Sequence, residues 1–200
     1  MICVISRKKY RRQFLELMIF KEFVNKWRFW LSADRLGPDM PLTHIRLYIN
    51  TPMRKLCKKM FNKFGDGAEF RPGAYAICCS KISIGNRVVI RPGTMLFADP
   101  RVNGAGIIID DDVLIGSGAH LYCTNHRYDN PDKPIIDQGH YESKQIQLKS
   151  GCWIGANVVI LPGVTVGHNA VVGAGSVVTR DIPDSVIAAG NPAQIIKRLV

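Results

Sequence analysis

The chain has 200 residues, a formal net charge of +11 and six cysteines, enough length for one or two domains with a full core. The charge is lopsided: residues 1–65 carry fifteen Lys/Arg against four Asp/Glu, and the remainder carries twelve of each. Cys3, Cys57, Cys78, Cys79, Cys123 and Cys152 have neither metal-ligand nor disulfide-framework spacing, so buried thiols in a reducing cytoplasm are expected.

Residues 8–31 are predicted to form an amphipathic helix, with Leu17, Phe20, Val24, Trp27 and Leu31 on one stripe. Lys8, Lys9, Arg11, Arg12, Lys21, Lys26 and Arg28 supply its polar side. Charges interrupt the apolar run near Phe14–Leu31 too often for a bilayer span, and no signal peptide is visible. The stripe fits packing on another element or contact with a membrane interface. Gly37-Pro38 and Pro41 break the chain. A second basic helix is expected, with Pro52 at or near its first turn, Ile45, Leu47, Met53, Leu56, Met60 and Phe64 available for its apolar face, and Arg54, Lys55, Lys58, Lys59 and Lys63 around it. Gly65-Asp66-Gly67 ends it, closing a basic helical segment over residues 1–67. A basic face favours anionic partners, but no recognised binding motif accompanies the charge, so nucleic acid is not expected.

From Phe70-Arg71-Pro72-Gly73 onward a six-residue period governs the chain. Ile84, Ile90 and Leu96 hold the step, then Ile109, Ile115 and Leu121, then Leu148, Ile154, Ile160, Val166, Val172 and Val178. Gly, Asn or Asp stands three residues after these positions, notably Gly93, Asp99, Asp112, Gly118, Gly151, Asn157, Gly163, Asn169, Gly175 and Asp181. Those residue types tolerate the left-handed backbone conformation that a recurring corner requires. Neither helical nor alternating strand periodicity makes this pattern; a hexapeptide period marks a β-helix. Three hexads to a coil give about four coils over residues 68–188, stacking Leu148 on Val166, Ile154 on Val172 and Ile160 on Val178. A bulge near Pro100–Gly106 and a longer excursion over about residues 127–145 interrupt the period. Loops this long in compact architectures are usually functional or disordered, and this one directly follows Asn125-His126. Residues 189–200, beginning near Gly190-Asn191-Pro192-Ala193, are expected to end the solenoid with a short capping helix.

The segment from about Ile82 to Arg198 resembles the hexapeptide-repeat acyltransferases, in particular the galactoside and maltose O-acetyltransferase branch. The resemblance rests on Val113-Leu114-Ile115-Gly116 leading to Thr124-Asn125-His126, on Trp153-Ile154-Gly155-Ala156, on Pro162-Gly163-Val164, on Gly173 through Pro183 and on Gly190-Asn191-Pro192-Ala193. It implies a mainly β protein: a left-handed parallel β-helix with an extruded loop, a helical N-terminal segment, and homotrimers with sites between neighbouring subunits. The N-terminal 65 residues look more like the variable leader of surface-polysaccharide acetyltransferases.

His126 matches the family's general base, a role suited to an imidazole because it titrates near neutrality. Asp129, Glu142 or a backbone carbonyl could orient it. The resemblance further implies acetyl-CoA as co-substrate, with no metal. Trp153, Gly155, Ala156 and Ala174 match the pantetheine groove, and Thr179, Arg180 and Lys197 the nucleotide end, while Gln194 replaces an arginine there. Asp99 and Asn103 are the polar groups near the acceptor region. Since direct attack needs no acyl-enzyme, Cys123 and Cys152 need not be nucleophiles.

The expected activity is therefore acetyl transfer to a sugar hydroxyl of a surface glycan or its lipid-linked precursor. The expected location is the cytoplasm, with peripheral contact at the inner membrane face through residues 1–65. Transfer to an amino sugar or xenobiotic amine is the alternative. A γ-carbonic-anhydrase-like zinc site using His120, His126 and His168, and an inactive scaffold, are weaker ones, because His120 and His126 lack the ligand-pair spacing of that zinc family and the loop histidine is retained.

Overall fold

In the computed structural model the backbone is described for residues 2–199 and the side chains for residues 17–199. The chain divides into two compact units at Ala33/Asp34. The first is helix α1 (Ile2–Ser32). Its apolar residues are not confined to the expected stripe: Met18, Ile19, Phe23 and Phe29 are exposed alongside Leu17, Phe20, Trp27 and Leu31. The side chains of Cys3, Lys8, Lys9, Arg11 and Arg12 lie outside the described residues.

The second unit is a parallel β-helix whose three faces are sheets of six, five and seven strands. Its inward residues stack in register. Ala76, Leu96, Leu121, Ile160 and Val178 line one face; Phe64, Ile84, Ile109, Leu148 and Val166 line the second. Phe70, Ile90, Ile115, Ile154, Val172 and Ala188 line the third. Each is buried, so every hexad contributes one apolar side chain to a continuous core. The predicted stacking of Leu148, Ile154 and Ile160 on Val166, Val172 and Val178 is the observed register. Corners at Gly93, Asp112, Gly118, Gly151, Asn157, Gly163, Asn169 and Gly175 take positive φ as expected. Asp181 does not; its carboxylate instead accepts the Thr165 amide at 2.7 Å.

Two expectations need correction. Among the described residues there are five complete coils, not four, because the first begins at Lys63. Phe64, Phe70 and Ala76 keep the six-residue step, but the turn Cys79–Lys81 adds two residues before Ile84 and hides the continuity. Residues 34–67 accordingly belong with the solenoid. Helix α2 (Pro41–His44) and helix α3 (Asn50–Met60) cap its first coil, and Met53, Leu56 and Cys57 join the core beside Phe61, whose ring lies 5.4 Å from that of Phe70.

The second correction is at the C-terminus. Ala193–Arg198 is a strand, not a helix, and pairs antiparallel with Val186–Gly190. The last coil exposes a row of unpaired backbone groups, and a returning strand satisfies them where a helix could not. Gly190, at φ 108°, makes the reversal.

Candidate active site

One corner of the solenoid holds every long interruption of the hexad pattern. Between Met95–Phe97 and Ile107–Ile109 it carries a bulge, and one coil further on, between His120–Tyr122 and Ile146–Leu148, it carries the extruded loop. The loop leaves the coil at Cys123, earlier than the pattern predicts, and its ends form an antiparallel stem. The amides of Lys144, Tyr141 and Arg127 donate to the carbonyls of Cys123, Asn125 and Gly139 at 2.8, 3.0 and 2.9 Å, and His126 bridges to His140. At the tip, the Gln138 side chain donates to the Asn130 and Lys133 carbonyls, both at 2.8 Å, leaving Ile135 and Ile136 exposed.

His126 therefore stands on the outgoing strand of a fixed stem, with the His140 ring 4.1 Å away, centroid to centroid. Both rings wall an open cleft of about 380 Å³ floored by Ile77, Phe97 and Tyr122. These floor residues are outward neighbours of buried positions. Phe97 and Tyr122 stack at 4.9 Å, Tyr75 meets Phe97 at 5.7 Å, and the Tyr122 hydroxyl lies 2.8 Å from His120 Nδ1. A mostly apolar cleft that also presents Thr124, Asn125 and the two histidines suits a small ligand with an apolar face and hydroxyl edges. Among the described residues, no hydrogen bond engages the ring nitrogens of His126, so a lone pair is available to a proton donor in the cleft.

Neither expected orienting carboxylate is placed on that ring. Asp129 receives Arg127 at 2.6 Å and the Tyr141 hydroxyl at 3.1 Å, and its carboxyl is pulled down to about 2, chiefly by the Arg127 hydrogen bond. Glu142 lies on the other flank of the stem, in a second cleft of about 370 Å³ with Lys144, Leu161 and Thr179. Asp99 does not face an acceptor either: it is 1% exposed and bound by Arg101 at 2.6 Å, so its oxygens are spent inside the protein. Asn103 remains exposed on the bulge, in a groove with Arg101 and Glu142.

The residues expected to hold the acetyl donor fall into two sets. Thr179 and Arg180 share the corner of the extruded loop, two coils on, and both are exposed. Trp153, Gly155, Ala156 and Ala174 lie on the seven-stranded face and at its following corner, and Lys197 lies on the closing strand of that face. The six-stranded face separates the two corners, so one chain does not gather the sets. Trp153 is half exposed beside buried Ile154. Gly155 has a packing role as well: a Cβ there would stand 2.6 Å from the Ala174 amide of the next coil.

Among the described residues, the buried thiols offer no nucleophile. Burial pushes Cys57, Cys123 and Cys152 up to about 12, so none carries useful thiolate near neutrality. His140, Phe97 and Tyr122 join the cleft without a sequence motif of their own. The aromatic pair was signalled by its place next to inward Leu96 and Leu121, whereas His140 joins the site only through the loop's return.

Comparison with known proteins agrees with this architecture. Residues 146–180 match the model of the family described as bacterial transferase hexapeptide (six repeats). The galactoside O-acetyltransferase of Escherichia coli K12 is 37% identical over 144 residues, spanning 72% of this chain and 67% of that protein. A hexapeptide-repeat acetyltransferase of Vibrio cholerae O1 biovar eltor, solved complexed with acetyl coenzyme A, superposes at a TM-score of 0.68 with 26% identity over 82% of this chain and 90% of its own. A galactoside acetyltransferase in complex with coenzyme A gives 0.68 and 30% over 82% and 84%. The chain belongs to the hexapeptide-repeat transferase family and is built as a left-handed parallel β-helix. Within that family it is an acyltransferase of the galactoside/maltose O-acetyltransferase type.

Proposed function

We propose that this protein transfers the acetyl group of acetyl-CoA to a hydroxyl of a sugar, one belonging to a surface glycan or its lipid-linked precursor. The observation that carries the reading is His126, its ring nitrogens unengaged among the described residues, on the wall of an open cleft with an aromatic floor. In the reaction, the imidazole takes the hydroxyl proton as the oxygen attacks the thioester carbonyl. The carbon–oxygen bond forms, the carbon–sulfur bond breaks, and the departing thiolate is protonated to free coenzyme A. The high pKa of Cys123 and Cys152 supports direct transfer without an acyl-enzyme.

The donor spans two copies of the chain. Trp153, Gly155, Ala156, Ala174 and Lys197 of one copy face His126, Thr179 and Arg180 of another, a reading supported by their division between two corners. A homotrimer closes that arrangement, with the exposed loop tip at Ile135 and Ile136 reaching the neighbour. Helix α1 carries exposed Leu17, Phe20, Phe23, Trp27 and Phe29 together with Lys21, Lys26 and Arg28, a composition suited to lying in an anionic membrane interface. Among the described residues no helix is long and apolar enough to cross a membrane. On the composition of α1, we place the enzyme at the inner membrane face, where lipid-linked glycan precursors are held.

His126→Ala tests the chemistry: turnover falls by roughly 10²–10⁴-fold while coenzyme A binding, by calorimetry, is retained. Near-normal turnover overturns the mechanism, and acetylation of amino-sugar but not hydroxyl acceptors overturns the acceptor class. Flotation with anionic vesicles, with and without residues 1–33, tests the membrane contact; equal flotation of both overturns it.

A further inference from the structure

Seven residues more than the hexad step requires lie between Leu96 and Ile109, and the bulge they form is closed around a buried charge. Asp99 is 1% exposed, and a carboxylate so placed persists only where a cation and further donors meet it. Arg101 supplies both. Its amide donates to Asp99 Oδ1 at 3.0 Å, and its Nε donates to Oδ1 and Oδ2 at 3.0 and 2.9 Å. The bulge closes because residue 104 is glycine; a Cβ there would stand 2.5 Å from Asp99 Cγ.

The guanidinium does not stop at Asp99. Its Nη2 donates to the Tyr141 carbonyl at 2.9 Å and to Thr124 Oγ1 at 3.3 Å, and Thr124 Oγ1 donates to the same carbonyl at 3.2 Å. Ser143 Oγ accepts the Ala105 amide at 2.8 Å. From the coil before, Lys81 Nζ donates to the carbonyls of Asp99, at 2.8 Å, and of Arg101. The bulge thus grips both strands of the loop stem: Thr124, two residues before His126, and Tyr141, directly after His140.

We propose that Arg101, locked by Asp99, is a positioning residue for the transfer reaction: it fixes the stem of the extruded loop and thereby the place of His126 in the cleft. This rests on the reading of His126 as the base. Arginine is required because its planar fork serves a carboxylate and a carbonyl together, which a lysine ammonium cannot do with the same geometry. The stem's own backbone bonds join its two strands to each other, whereas Arg101 ties them to the bulge, so its removal shifts the imidazole and leaves the coils standing.

The test is steady-state kinetics on the full chain, following thiol release from acetyl-CoA with a simple galactoside as acceptor and with water as the control acceptor. Arg101→Ala is compared with Arg101→Lys, and Asp99→Asn/Arg101→Gln removes both charges should an unpaired Asp99 impair folding. Loss of Arg101 lowers kcat by about 10–100-fold, the scale of a small misplacement of a reacting group, and leaves KM for acetyl-CoA within about two-fold. Arg101→Lys recovers only part of the loss. Placed in a His126→Ala background, Arg101→Ala has no further effect, since the two act as one unit. Wild-type kcat in both Arg101→Ala and the double variant, alongside a slow His126→Ala, overturns the positioning role and spares the base. Additive losses also overturn it. Wild-type turnover in His126→Ala overturns the base itself.

Discussion

Adjacent residues on the seven-stranded face give the sharpest test of the coil geometry. Ile154 is fully buried and stacked between Ile115 and Val172, while Trp153 beside it is 50% exposed between Leu114 and Val171. Truncating Ile154 to alanine removes three buried carbons from a column that neighbouring coils cannot close, because each coil is tied to the next by backbone hydrogen bonds. That places it in the class of buried Ile→Ala changes, about 3 kcal/mol. For a chain of this length the loss corresponds to a melting temperature lower by roughly 6–12 °C. Trp153→Ala removes more atoms but leaves no cavity, and its cost is about 1 kcal/mol or less. The readouts then cross. Thermal unfolding by circular dichroism, at one protein concentration, ranks Ile154→Ala far below Trp153→Ala. KM for acetyl-CoA rises for Trp153→Ala and stays put for Ile154→Ala. Equal destabilisation by the two would refute the alternation of inward and outward positions on which every residue assignment above depends.

Three further outcomes follow from the same geometry. Val172→Asp puts an unpaired carboxylate in the middle of the stack and abolishes soluble expression; a folded product would mean that the position faces outward. Hydrogen bonding to Arg101 holds the Asp99 carboxyl far below its ordinary range, so its contribution to stability is full above the unfolded-state value of ~3.9 and fades as pH falls beneath it. The melting-temperature gap between wild type and Asp99→Asn therefore narrows from pH 5 to pH 2; a constant gap contradicts the assignment. Iodoacetamide at pH 8 leaves Cys57, Cys123 and Cys152 unmodified in the native protein, as peptide mass spectrometry would show, and rapid labelling of any of them contradicts its burial.

How far the sequence could be read followed from which interactions are local. A hexad states its own structure: the aliphatic residue must point inward, and the Gly, Asn or Asp three residues on must turn. Leu148 through Val178 were thus legible down to their stacking partners. The first coil was concealed by a two-residue insertion and by the surrounding lysines, although Phe64, Phe70 and Ala76 keep the step. At the C-terminus, Gln194–Arg198 carries no strong signal of its own, and the open edge of a distant coil decides its conformation. Asp99 occupied a corner position by spacing but took no corner φ, because its charge is used by Arg101. His140 was out of reach for a related reason. Its place opposite His126 depends on how a loop of more than twenty residues returns to the coil, and no short-range pattern encodes that register.

A regular solenoid has little chemistry to offer. Its inward positions are apolar, its corners are occupied by residues chosen for their backbone, and its outward positions are flat. Polar groups can converge only where the period is broken. Here the breaks lie at one corner in three successive coils: two added residues between Ala76 and Ile84, seven between Leu96 and Ile109, and twenty-one between Leu121 and Leu148. In the next coil the same corner, Leu161–Val164, is tight again. Stacking makes the three insertions neighbours: Lys81 from the first braces the second, and Arg101 from the second braces the third, which carries His126. The departures from the six-residue rule are thus where polar side chains converge, in steps from a lysine to an arginine to the loop that carries His126.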